Sequence, residues 1–181
     1  MRIFDHSKAV KDLMKAGVDC YMSEGTIDAL YTGSYHRAHR IKAGELAEIG
    51  PWRILPFDLV HDAPEPLGFF IAHGEDRLLF IPDTAYSVDR FEGVTIAAIE
   101  CNFVGDILSN NILKGALPAV VGHRVRRNHM SLETLIEMLR ANDLSRCRKI
   151  WLLHLSDGNS HEARMIKEVQ AATGIPCFAA Q

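Results

Sequence analysis

Apolar residues recur along the chain with a period near four in some segments and near two in others, and the two rhythms alternate. Residues 5–17 put Ala9, Val10, Leu13 and Met14 on one helical face, with Asp5 as candidate N-cap and Gly17 as the stop. Residues 18–22 read as a short buried strand, 26–31 as a second short helix, and 54–60 as a strand ending at His61. Residues 69–73 and 77–81 flank the turn Gly74-Glu75-Asp76 and predict a β-hairpin that delivers Asp83 just past its second arm. An apolar strand over 95–99 ends at Glu100, an amphipathic helix over 131–141 runs through Leu132, Leu135, Ile136 and Leu139, and a strand over 149–153 ends at His154. A polar loop over 156–160 leads to a helix through Ala163, Ile166, Val169 and Ala172, where Asn159 and Glu162 fit a capping box. Residues 175–179 close the pattern as a last strand, and strands alternating with helices predict a layered α/β fold.

Composition narrows the class without naming a function. With 181 residues, 48% of them hydrophobic and 24% charged, the chain has material for one compact core and reads as a single domain over 1–181. A net charge of -3 gives no global attraction to nucleic acid, although Arg124, Arg126 and Arg127 form a local candidate phosphate-binding patch. Cys20, Cys101, Cys147 and Cys177 are scattered, with no C-x-x-C pair, which fits reduced thiols in a cytoplasmic protein. No apolar run approaches the roughly 18 residues that a membrane span needs, so no membrane partner is expected.

The chemistry-bearing residues sit where these elements end. Asp5 and His6 open a helix, His61 follows a strand, Asp83 follows a hairpin arm and His154 follows a strand. Imidazole nitrogens and carboxylate oxygens are the usual ligands of zinc and similar divalent ions, and strand-end loops converge at one edge of a layered fold.

In that order and setting, the chain from Asp5 onward resembles the metallo-β-lactamase superfamily. Asp5-His6-Ser7-Lys8-Ala9 is similar to the end of the family's H-x-H-x-D-H signature and the helix that follows it. Val60-His61-Asp62 resembles the later ligand histidine, Ile81-Pro82-Asp83-Thr84 the strand-end aspartate that bridges two metals, and Leu153-His154-Leu155-Ser156 the final ligand histidine. Glu100-Cys101-Asn102 and Asn128-His129-Met130-Ser131 resemble segments of the small bacterial and phage hydrolases of this fold, a branch with nuclease and phosphodiesterase relatives.

The resemblance implies an α/β (in some schemes α+β) four-layer αββα sandwich with metals at one edge. Asp5, His6, Asp83 and His154 would form one metal site, with His61 and the bridging Asp83 serving the other. It also implies a divalent cofactor, zinc or alternatively manganese or iron, at one site or two. His129 becomes the candidate catalytic group facing a substrate oxygen, and Glu100 a candidate for orienting a ligand histidine.

The signature's first two histidines should fall four and two residues before Asp5, where Met1 and Ile3 stand instead; a thioether and a hydrocarbon cannot replace imidazole. One site is therefore expected to be incomplete, and the domain to lack the family's N-terminal strands. The exposed edge and apolar face that this leaves predict a homodimer or other oligomer. Two functional expectations follow: a metal-dependent hydrolase of phosphodiesters, with a nucleic-acid substrate allowed, or a non-catalytic member acting as a binding or interaction protein, which Met1 and Ile3 favour. A second candidate nucleic-acid contact is the basic aromatic segment with Tyr31, Tyr35, His36, Arg37, His39 and Arg40, whose bland alternative is a solvated loop.

Overall fold

The predicted hairpin is present: β5 (Leu67–His73) and β6 (Asp76–Ile81) pair antiparallel across a two-residue Gly74-Glu75 loop, with Gly74 at a φ of 54° that a side chain would resist. The computed structural model describes residues 7–30 and 36–180. Within them the order before the hairpin is α1 (Val10–Lys15), β1 (Cys20–Met22), α2 (Glu24–Leu30), β2 (Ala38–Arg40), β3 (Ala47–Ile49) and β4 (Trp52–Asp58). After the hairpin come β7 (Ile96–Glu100), α3 (Gly105–Leu113), α4 (Ala119–Asn128), α5 (Leu132–Arg140), β8 (Lys149–Leu153), α6 (Glu162–Thr173) and β9 (Cys177–Ala179).

Strands β3 to β9 form one seven-stranded sheet in sequence order, antiparallel from β3 to β6 and parallel from β6 to β9, and β1 and β2 form a separate parallel pair. Alternation along the strands divides the large sheet into two faces. On one, Leu79, Ala97, Ile150 and Cys177 lie in one register row, with Ile81, Ile99 and Leu152 in the next. These side chains join Leu132, Leu135, Met138 and Leu139 of α5 and Met165 and Val169 of α6 in the buried core. The 3.6-residue period of α5 and α6 and the two-residue period of the strands thus meet in a single apolar layer.

The opposite face carries another continuous row, Pro56, Phe69, Phe80, Ala98, Trp151 and Phe178, each the register partner of the next. Near its middle a cavity of about 540 Å³ separates Phe69 and Phe80 from Tyr21 and Met22 of β1. At its far end the rings of Trp151 and Phe178 lie tilted to one another with centroids 5.1 Å apart and remain 36% and 40% exposed. No helix among the described residues is long and apolar enough to cross a membrane.

Several expectations need correction. Among the described residues the first predicted helix is helical over Val10–Lys15 and ends before Gly17, and of its predicted buried face only Met14 is buried while Leu13 is 43% exposed. Asp5, the proposed cap, lies outside the described residues. Asn159 does not cap the last helix: His161 does, its Nδ1 accepting from the Arg164 amide at 3.2 Å. Asn159 is buried and accepts from Asn111 Nδ2 at 3.0 Å, so a tertiary contact overrides the local capping pattern. Helices α3 and α4 and strands β2 and β3 were not anticipated, β2 falling in the segment read as a loop; α4 buries only Gly122, so its sequence carries little apolar periodicity to detect.

Gly68 faces Phe57 across β4 and β5, and an added Cβ would overlap the Phe57 ring, itself buried against Phe91 at 4.7 Å. Gly68→Ala is expected to destabilise the fold by about 1–3 kcal/mol through overpacking. Urea denaturation measures this, and Phe57→Leu in the same chain should recover part of the loss by removing the obstructing ring.

Candidate metal centre

Parallel pairing of β6, β7 and β8 brings three chain segments to the same sheet edge, because Ile81, Ile99 and Leu152 share one register row. Asp83 lies two residues beyond Ile81, Glu100 is the last residue of β7, and His154 follows Leu153 at the end of β8. The carboxyl ends of neighbouring parallel strands are where α/β sheets present ligand-binding groups. His61 reaches the same edge from the loop after β4, and His129 from the C-cap of α4.

Glu100 is completely buried and joins these segments. Its Oε2 accepts from the Thr84 amide at 2.8 Å and the Met130 amide at 3.1 Å. Its Oε1 meets His129 Nδ1 at 2.6 Å and His154 Nδ1 at 2.9 Å. A buried carboxylate needs such partners, and each oxygen here is saturated by two of them. The arrangement fits a residue that fixes the orientation of two imidazoles.

His154 also meets Asp83 Oδ1 at 2.6 Å. Asp83 first and Glu100 second push its imidazole up to about 10 against the opposing effect of burial. The metal-free chain therefore holds His154 as imidazolium at neutral pH, one cation between two buried carboxylates. His154 adopts a φ of 56°, an uncommon conformation for a non-glycine residue, and its carbonyl accepts from Asn102 Nδ2 at 2.8 Å. Asn102 further ties the edge together, its amide donating to the Met130 carbonyl and its carbonyl accepting from the Ser156 amide.

The His61 side chain is 6% exposed, with Nδ1 held 2.9 Å from the Asn128 carbonyl. That contact leaves Nε2 toward Asp62 Oδ1 at 3.4 Å and Asp83 Oδ2 at 4.0 Å. Partial burial would raise the Asp62 carboxyl, but the hydrogen bond and charge of Arg124 outweigh it and hold Asp62 below the ordinary carboxylate range. Thr84 braces the approach of this loop, accepting from the Val60 amide at 2.9 Å and donating to the Tyr86 carbonyl at 2.7 Å. The His129 ring stands edge-on to both His61 and His154, with each centroid separation 5.1 Å.

Of the residues singled out from the sequence, His61, Asp83, Glu100, His129 and His154 thus converge, whereas Asp5 and His6 lie outside the described residues. One donor atom from each of Asp83, Glu100, His129 and His154 falls within 4.8 Å of the others. A tetrahedral ion with bonds of ~2.1 Å holds its ligand atoms ~3.4 Å apart, inside that limit. Mixed imidazole and carboxylate donors around paired buried acids fit a divalent cation, and binding would replace the proton on His154. Thr84 and Asn102 were not identified as site residues; their only signal was their place beside Asp83 and Glu100. The basic aromatic segment is less available than expected, since Arg37 and His39 pair with Asp19 and Arg40 with Glu24. Tyr31 and Tyr35 of that segment lie outside the described residues.

A family model described as a β-lactamase superfamily domain matches residues 4–155. The exodeoxyribonuclease WalJ of Streptococcus pneumoniae is 29% identical over 171 residues, covering 86% of this chain and 61% of that protein. The chain therefore spans less than two thirds of the length of the curated relatives it matches. Among solved structures, the metallo-β-lactamase fold protein YhfI of Bacillus subtilis matches with a TM-score of 0.72 at 14% identity, over 98% of this chain and 70% of that one. A putative metal-dependent hydrolase of Parabacteroides distasonis matches with a TM-score of 0.64 at 13% identity, over 95% of this chain and 68% of that one.

Removing the Glu100 side chain leaves two backbone amides and two imidazoles without their acceptor. Glu100→Ala is expected to lower stability by about 3 kcal/mol or more, since each buried group left unsatisfied costs ~1–3 kcal/mol. Urea denaturation in the presence of a chelator isolates this effect from metal loss; an unchanged midpoint would show that Glu100 does not organise the edge.

Proposed function

The chain belongs to the metallo-β-lactamase superfamily, and from that premise we propose that it is a metal-dependent hydrolase of phosphodiesters. The observation that carries the reading is the convergence of His61, Asp83, His129 and His154 on one sheet edge around buried Glu100. Similarity to an exodeoxyribonuclease supports a nucleic-acid-like substrate.

His61, Asp83 and His154 are the proposed metal ligands, with Asp5 and His6 as further ligands from the preceding segment. Zinc is the first candidate, and manganese or iron suit the same donors. Lewis-acid activation of water and of a phosphoryl oxygen is the chemistry such a metal supplies when bound. Glu100 holds the Nδ1 atoms of His129 and His154, which fixes both rings and directs their Nε2 atoms away from it. His129 Nε2 has no hydrogen-bond partner among the described residues and is the proposed donor to a substrate oxygen.

Asp83→Ala should abolish bound metal in protein purified without added metal, as read by elemental analysis, and with it the hydrolysis of bis(4-nitrophenyl) phosphate. Metal content equal to the wild type would overturn the ligand assignment, while a metal-free wild type would favour the non-catalytic binding protein. His129→Ala should retain metal and lose kcat by ~10²–10⁴-fold, the range for a general acid or base.

The apolar row ending in exposed Trp151 and Phe178 supports a homodimer formed over that sheet face. Light scattering across a wide concentration range should show a mass above the monomer, reduced by Trp151→Lys with Phe178→Lys. A clean monomer throughout would exclude it.

A further inference from the structure

Beside the metal centre lies a cleft of about 490 Å³ whose wall includes His129, Arg126, Ser109 and Ser131. It is a separate space from the apolar cavity under β1, and His129 is the residue it shares with the metal centre. Arg126 in the last turn of α4 and His129 at its extended C-cap both line this cleft.

The charge pairing around this cleft is uneven. Arg124 is committed to Asp62, with Nε at 3.0 Å and a terminal nitrogen at 2.6 Å from the same oxygen. Asp106, which also lines the cleft, is held by Arg164 through contacts of 2.8 and 2.9 Å, and Arg164 additionally binds Glu168. Glu133 accepts from the Gly105 amide at 3.2 and 3.3 Å. Arg126 is exposed and makes no ion pair among the described residues. One terminal nitrogen donates to Ser109 Oγ at 2.8 Å, and that hydroxyl donates onward to the Gly105 carbonyl at 2.6 Å. The serine contact positions the guanidinium at the cleft wall without neutralising it, while Asp106 and Glu133 of the same wall are engaged by Arg164 and the Gly105 amide.

A positioned, uncompensated guanidinium is suited to a phosphate, which it engages with parallel donors. Building on the proposed phosphodiesterase reading, we infer that Arg126 and this cleft bind a second, non-scissile phosphate of a single nucleic-acid strand. The subsite explains how a chain with a net charge of -3 can hold a polyanion: through one local cation beside the reacting group rather than through a basic surface. It also predicts a preference for esters that carry a neighbouring phosphate over isolated diesters.

Salt-dependent binding of a fluorescein-labelled, phosphorothioate-linked hexathymidylate tests this with the protein as purified. The linkages keep one negative charge each and resist cleavage. Arg126→Gln should weaken binding several-fold and make the plot of log K against log salt shallower by about 0.7, the loss of one single-strand phosphate contact. Arg126→Lys should keep the wild-type slope, and Arg127→Gln, altering an exposed neighbour outside the cleft lining, should change neither quantity. Equal slopes for wild type and Arg126→Gln, an equal loss in Arg127→Gln, or no binding by the wild type would each overturn the subsite. Hydrolysis of bis(4-nitrophenyl) phosphate, which has no second phosphate, tests the phosphodiesterase reading separately. Its absence in the wild type would defeat the phosphodiesterase reading, while a slope change in Arg126→Gln would still support the phosphate subsite.

Discussion

The buried carboxylate of Glu100 is the constraint on which the functional edge depends. Its two oxygens receive two backbone amides and two imidazoles, drawn from the loop after β6, the junction of α4 and α5, and the end of β8. None of these segments is close to another in sequence, yet each has one polar group fixed to the same side chain. In a low-dielectric setting an unpaired carboxylate would be costly, so the fold must bring all of these partners in together. The same hydrogen bonds aim the histidines, which links the stability of the edge to its chemistry. Asn102 and Thr84 repeat the pattern on a smaller scale by tying neighbouring loops through side-chain amide and hydroxyl groups.

Much of this was legible in the sequence because the sheet gives a simple readout. Apolar runs with a two-residue period end at polar residues, and in β7 and β8 those residues, Glu100 and His154, fall at or immediately after the observed strand ends. Asp83 likewise follows the hairpin arm closely. The resemblance to the metallo-β-lactamase superfamily then ordered those residues, and His129 joined the list through it. What the sequence concealed depends on contacts between distant segments. Nothing local announces that His154 takes a left-handed conformation or that Asn102 supports its carbonyl. Asn159 shows the opposite failure, since a sound local capping pattern yielded to a tertiary hydrogen bond.

The two faces of the large sheet divide the molecule's tasks. One face builds the core with α5 and α6, where shared burial of Leu79, Ile99, Leu135 and Val169 fixes the register of the parallel strands. Register matters to function here because a one-residue slip would turn Glu100 away from the edge. The other face presents its apolar row toward β1 and, farther along, toward solvent at Trp151 and Phe178. The candidate phosphate cleft lies among the ends of α3, α4 and α5 and meets the metal centre at His129, whose Nδ1 rests on Glu100.

The central claim is that this carboxylate-organised edge holds a divalent metal. Anomalous X-ray diffraction from crystals grown with zinc, recorded on both sides of the zinc absorption edge, tests it most directly. The account predicts an anomalous peak within bonding distance of Asp83 and His154 and adjacent to His61. A fully interpretable map with no peak there, or with zinc only at surface residues, would contradict it.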